Sequence, residues 1–110
     1  MKPMTRITYV EPSGNPVTVE LTDGWSLMVG ATMNNVDGIT GECGGSCACA
    51  TCHCYIDEAR LAELAPPGQT ELAMLDFVAA ERRPNSRLAC QVKVAPSLQG
   101  LVVTLPDTQE

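Results

Sequence analysis

Histidine is all but missing from this 110-residue sequence, occurring once, as His53, and aromatic residues make up only 4% of the chain. One histidine cannot supply a site that needs two, which sets aside Rieske centres and Cys2His2 zinc sites. Basic residues are also scarce, seven Lys and Arg against 13 Asp and Glu, for a net charge of -6. Duplex binding depends on Lys and Arg neutralising phosphates, so nucleic acid is excluded as a partner, and anionic membrane surfaces are disfavoured for the same reason. No run of about 18 apolar residues exists to span a bilayer. The opening Met1-Lys2-Pro3-Met4-Thr5-Arg6 carries neither the apolar stretch of a signal peptide nor an Arg- and Ser-rich transit helix, so a cytoplasmic location is expected.

Acidic charge is concentrated rather than spread. Residues 37–81 hold eight acids and a single base, Arg60, for -7, while the rest of the chain stands at +1. Such polarity can steer a basic partner into contact.

The chain shows no repeat, linker or low-complexity tract, and one domain is expected over residues 1–110. Val17, Val19 and Leu21 alternate with Thr18, Glu20 and Thr22, which predicts a strand paired with Thr5–Val10 across the turn Pro12–Pro16. Ser26 is a suitable N-cap for a short helix ending near Asn34. The glycine-rich residues 37–50 read as a loop. A strand at Cys52–Ile56 leads to a helical turn at Glu58–Leu64. A helix is expected over Glu71–Ala80 with Leu72, Leu75 and Ala79 as its apolar stripe. Alternation from Leu88 to Val94 predicts a further strand, and Leu101–Leu105 a last one. Helices laid across a small mixed sheet make an α+β domain.

Cysteine is plentiful for a chain without an export signal, six in 110 residues. Cys43, Cys47, Cys49, Cys52 and Cys54 crowd into twelve positions, and Cys90 stands far along the chain. Disulfides within such a cluster would close very short loops. Structural zinc prefers two Cys-x2-Cys knuckles, whereas only Cys49 and Cys52 form one. A nucleophilic cysteine needs a base, and His53 lies in a loop saturated with thiols. The spacing Cys43-x5-Cys49-x2-Cys52-x37-Cys90 instead offers four thiolates, three from one loop and one from a distant strand. That set suits a 2Fe-2S cluster, with Gly44, Gly45 and Ser46 small enough for the backbone to approach the sulfides. Tyr55 stands where a four-iron or plant-type pattern would need a further thiol.

The runs Glu42-Cys43-Gly44-Gly45-Ser46-Cys47-Ala48-Cys49-Ala50-Thr51-Cys52-His53, Met74-Leu75-Asp76 and Ser86-Arg87-Leu88-Ala89-Cys90-Gln91 resemble the adrenodoxin/putidaredoxin-type 2Fe-2S ferredoxins of bacteria. The resemblance extends over nearly the whole chain and implies a β-grasp fold, one 2Fe-2S cluster on Cys43, Cys49, Cys52 and Cys90, and a one-electron carrier rather than an enzyme. It also implies an FAD-containing NAD(P)H ferredoxin reductase as donor. The acceptor would be a terminal oxygenase, either a haem-thiolate monooxygenase or a Rieske-type dioxygenase. The chain would act as a monomer in transient complexes. Glu42 and Asp76, with Glu71 nearby, match positions used for partner docking. Cys47 recurs in members tied to iron–sulfur assembly, so electron supply to cluster assembly is the alternative role. Cys54 shares strand parity with Cys52 and Ile56 and is expected to be a buried small hydrophobe. His53 and Trp25 are expected to be structural.

Overall fold

The computed structural model describes residues 4–39 and 52–109. Strand β1 (Met4–Val10) pairs antiparallel with β2 (Pro16–Thr22) in unbroken register from Met4 opposite Thr22 to Val10 opposite Pro16. The turn between them closes through Gly14, whose φ of 92° is open to glycine at little cost. On β1 the alternation has a clear physical outcome, because Thr5, Ile7 and Tyr9 face the core while Met4 and Arg6 are exposed.

Helix α1 (Leu27–Met33) starts where the Ser26 side chain accepts the Val29 N–H at 3.1 Å, as the capping pattern requires. It lies hard against the sheet. A Cβ at Gly30 would stand 2.4 Å from Leu21 Cδ1 and 2.7 Å from the Tyr9 hydroxyl, so any larger residue would require these side chains to shift. The Tyr9 hydroxyl donates to the Leu27 carbonyl at 2.7 Å, which satisfies a buried polar group at the helix start.

Strands β3 (His53–Ile56), β4 (Ser86–Leu88) and β5 (Leu101–Thr104) complete a five-stranded mixed sheet in the order β2-β1-β5-β3-β4. Here β1 and β5 are parallel, while β3 is antiparallel to both β5 and β4. Helix α2 (Gln69–Leu75) runs beside β4, reached from β3 through a 3-10 turn at Glu58–Glu63. The core joins Ile7, Tyr9, Leu21, Leu27, Ala31, Ile56, Leu88, Leu101 and Val103, all fully buried. This arrangement is the β-grasp form of the α+β class.

Three sequence expectations need correction. The second helix ends at Leu75 instead of reaching Ala80, and its expected stripe holds only at Leu75: Leu72 and Ala79 are exposed, and the inward position one helical turn before Leu75 belongs to Glu71. The strand expected from Leu88 to Val94 is instead β4, which stops at Leu88 and gives way to a 3-10 turn at Ala89–Gln91. Its alternation nevertheless reflects burial, since Cys90, Val92 and Val94 are inside and Gln91 and Lys93 outside. Val92 and Val94 exchange backbone hydrogen bonds with Gly24, Trp25 and Leu27 rather than with the sheet. The third correction concerns Glu71 and belongs with the site.

Candidate metal centre

Two of the four expected ligands lie within the described residues. Cys52 immediately precedes β3, and Cys90 sits in the 3-10 turn that follows β4. The antiparallel register sets His53 opposite Leu88, and the Ala89 N–H donates to the Cys52 carbonyl at 2.8 Å. This pairing brings the two sulfurs to 3.2 Å although 38 positions separate them in sequence. That separation is far longer than a disulfide bond of about 2.05 Å. It lies within reach of a shared metal ion, whose bonds to thiolate sulfur are about 2.3 Å in the well-known zinc case.

Both thiols are buried, and the protonated pair shares a hydrogen bond. The Cys52 thiol is pushed well above the ordinary thiol range, first by that hydrogen bond to Cys90 and then by burial. Two adjacent buried thiols cannot both ionise unaided, whereas a cation between them reverses the balance and takes both as thiolates. The Gln91 side-chain amide also points at the Cys90 sulfur, with nitrogen 3.6 Å away. A buried pair of soft donors with an amide directed at one sulfur fits an iron–sulfur cluster. Among the described residues no set of three or more ligating side chains converges, and this pair is the part of the expected ligand set that they contain. Glu42, Cys43, Cys47 and Cys49 lie outside the described residues.

The surroundings hold the pair in place. Cys54 is fully buried and its thiol is pushed up to about 12, chiefly by burial, so it behaves as the small hydrophobe its strand parity suggests. His53 is fully buried, with Nε2 2.8 Å from the Ser86 hydroxyl, which also accepts the Arg83 N–H. Burial, reinforced by the Arg83 charge, lowers the imidazole to about 4, so the ring is neutral at physiological pH. It meets Tyr55 in an edge-type contact, and the Arg83 guanidinium lies over the Tyr55 ring 4.4 Å from its centroid. These contacts agree with a structural His53. Trp25 remains 37% exposed, so its indole is only partly packed.

Of the three docking candidates, Glu71 is ruled out by its burial. It is 3% exposed, and its carboxylate accepts from Arg87 Nε at 2.6 Å, from Arg87 Nη2 at 3.0 Å and from the Leu88 N–H at 2.9 Å. Arg87 also donates to the Ala65 carbonyl. A carboxylate committed on all sides within the fold cannot meet a partner. Its position one turn before buried Leu75 was the available sequence signal. Asp76 does reach the surface, where it caps α2 and pairs with Arg82. The acidic segment is accordingly less bare than its formal charge suggests, because Glu63 and Glu81 pair with Arg60 and Arg83.

Sequence reasoning gave no role to Gln109. Its side chain is buried and joins Gly38, before the cysteine-rich segment, to His53, near its end.

Comparison with known proteins agrees with this geometry. Residues 10–95 match the family described as the 2Fe-2S iron-sulfur cluster binding domain. Putidaredoxin from Pseudomonas putida is 43% identical over 106 residues, covering 96% of this chain and 99% of its own. Ferredoxin CarAc from Sphingomonas sp is 47% identical over 109 residues, 99% of each. A crystal structure of reduced putidaredoxin, in a variant form, superposes with a TM-score of 0.94 at 42% identity, covering 96% of this chain and 100% of that one. Putidaredoxin in its covalent complex with putidaredoxin reductase gives 0.91 at 43% identity, covering 94% and 99%. The chain therefore belongs to the putidaredoxin-type 2Fe-2S ferredoxins, carrying one 2Fe-2S cluster as an electron carrier and not as an enzyme.

Proposed function

We propose that Cys43, Cys49, Cys52 and Cys90 hold the cluster of a single ferredoxin domain. In this reading the chain takes single electrons from an FAD-containing NAD(P)H ferredoxin reductase and passes them to a terminal oxygenase in the bacterial cytoplasm. The observation that carries the ligand assignment is the 3.2 Å approach of Cys52 and Cys90, brought about by the β3–β4 register. The solved covalent complex of putidaredoxin with its reductase supports a reductase as donor. When bound, the cluster supplies a centre that accepts and releases one electron at a time. The described residues would hold its Cys52–Cys90 side in a buried setting. Cys52 and Cys90 are buried, Gln91 directs an amide at the Cys90 sulfur, and the neutral His53 adds no competing positive charge. Partners would be held transiently, with the exposed Asp76 as one acidic contact and Glu42 as a further candidate from the sequence.

The test is ligand substitution on purified holoprotein, read by iron and sulfide content and by the visible spectrum. Serine at position 43, 49, 52 or 90 is expected to abolish or grossly alter the cluster, whereas Cys47→Ala and Cys54→Ala are expected to retain it. Iron lost from Cys47→Ala but kept in Cys43→Ser would overturn the assignment. For the pathway, a reconstituted chain of reductase, ferredoxin and a haem-thiolate or Rieske-type oxygenase is expected to turn over substrate with Cys47→Ala as well as with wild type. Failure there, with activity only in cluster assembly on a scaffold protein, would replace the oxygenase by the assembly machinery.

A further inference from the structure

Strand β5 pairs with β3 only at Tyr55 and Ile56, opposite Thr104 and Val103. The chain then leaves the sheet: the Leu105 N–H donates to the Val10 carbonyl, and Leu105 and Pro106 are buried. It returns to β3 at Gln109. There the side-chain amide does what a strand would do. Oε1 accepts the His53 N–H at 3.0 Å, and Nε2 donates to the His53 carbonyl at 2.7 Å. The two backbone groups of His53 are thus both satisfied by one side chain. The same Nε2 donates to the Gly38 carbonyl at 2.7 Å. Gly38 is itself confined, with a φ of 109° and Leu105 and Pro12 so near that a Cβ would stand 2.9–3.0 Å from them.

Gln109 therefore ties residue 38 to residue 53, and residue 53 is bonded directly to Cys52. We infer that Gln109 is a positioning residue for the cluster: its carboxamide fixes both ends of the segment that contains Cys43 and Cys49, and so governs how firmly the cluster is retained and at what potential it is reduced. This inference rests on the proposed ligand assignment. The chemistry is specific to a primary amide. Two donors meet two carbonyls and one acceptor meets one N–H, a set that neither a carboxylate nor a hydroxyl can supply. Outer-shell groups bonded to metal ligands themselves typically change metal affinity about 10- to 100-fold when removed, and Gln109 acts one residue from Cys52.

The experiment compares wild-type holoprotein with Gln109→Glu, Gln109→Ala and Gln109→Asn, using Val17→Ala in β2 as a distant destabilised control. Three quantities are read: the rate of cluster bleaching under a chelator, the midpoint potential, and hydrogen exchange of the 52–56 peptide by mass spectrometry. Gln109→Glu sets carboxylate oxygens against two carbonyls. It is expected to bleach on the order of tenfold faster, to exchange faster in that peptide and to shift in potential. Gln109→Ala is expected to follow it, and Gln109→Asn to recover part of the loss. Wild-type bleaching, exchange and potential in Gln109→Glu would overturn the inference. So would changes no larger than those of Val17→Ala at matched Tm. The exchange readout assumes nothing about which thiols bind iron, so a failed clamp is distinguishable from a failed ligand assignment, which the serine variants report.

Discussion

Glu71 and Arg87 form a bidentate ion pair inside the protein, with hydrogen bonds of 2.6 and 3.0 Å and side chains 3% and 6% exposed. The pair ties α2 to β4, and Glu71 additionally accepts the Leu88 N–H, two residues before Cys90. Removing one partner strands the other charge in a low-dielectric setting. Glu71→Ala is therefore expected to destabilise the holoprotein by about 3–5 kcal/mol. Thermal unfolding followed at the cluster's visible band checks this, and a Tm within a degree of wild type would show that the pair is dispensable.

Gly30 yields a prediction about packing alone. A methyl group there meets Leu21 and the Tyr9 hydroxyl well inside normal contact distances. Gly30→Ala should gain helix propensity yet lose about 1–3 kcal/mol overall through overpacking. Denaturant titration measures the balance, and a stabilised variant would mean that α1 can move off the sheet without penalty.

Acid sensitivity is expected at Glu11. Its carboxyl accepts the Asp37 N–H at 2.8 Å and the Asn15 amide at 3.0 Å, and these bonds hold it below its ordinary value of 4.5. Because the folded value is depressed, the contribution is fully present above 4.5 and fades as pH falls through the folded value. Glu11→Gln is expected to lower Tm at neutral pH and to converge on wild type in acid. A difference that stays constant across the titration would remove the charge from the explanation.

Surface charge leads to a kinetic prediction. Asp76 is exposed but paired with Arg82, so Asp76→Asn both removes an anion and frees a guanidinium. Association with a reductase is expected to slow at low ionic strength, with little difference once the Debye length shrinks to about 3 Å near 1 M salt. Stopped-flow reduction across a salt series tests this, and equal rates at low salt would move docking elsewhere.

Which parts of this molecule could be read from its residues follows from how local each determinant is. The β1–β2 hairpin is written in alternating Val17, Val19 and Leu21, and α1 in its Ser26 cap, because partners and turn lie within a few residues. Cys54 was legible from parity with Ile56. The α2 stripe was misread because apolar character suggested that Leu72 faces inward, whereas the inward position belongs to Glu71, which is acceptable there only through Arg87, 16 residues away. Val92 and Val94 mimic a strand because burial alternates along any extended segment, whatever pairs with it. Gln109 was invisible because its partners, Gly38 and His53, are 71 and 56 positions away.

The strand order also separates two ends of the molecule by purpose. The hairpin edge at β2 is three strands removed from β3, about 14 Å at the usual spacing, while the paired thiols lie at the β3–β4 end. Exposed positions such as Thr18 on β2 therefore form a handle distant from the paired thiols. A dye, a surface tether or a fused partner attached there would report on the molecule or immobilise it while leaving the redox end open to both donor and acceptor.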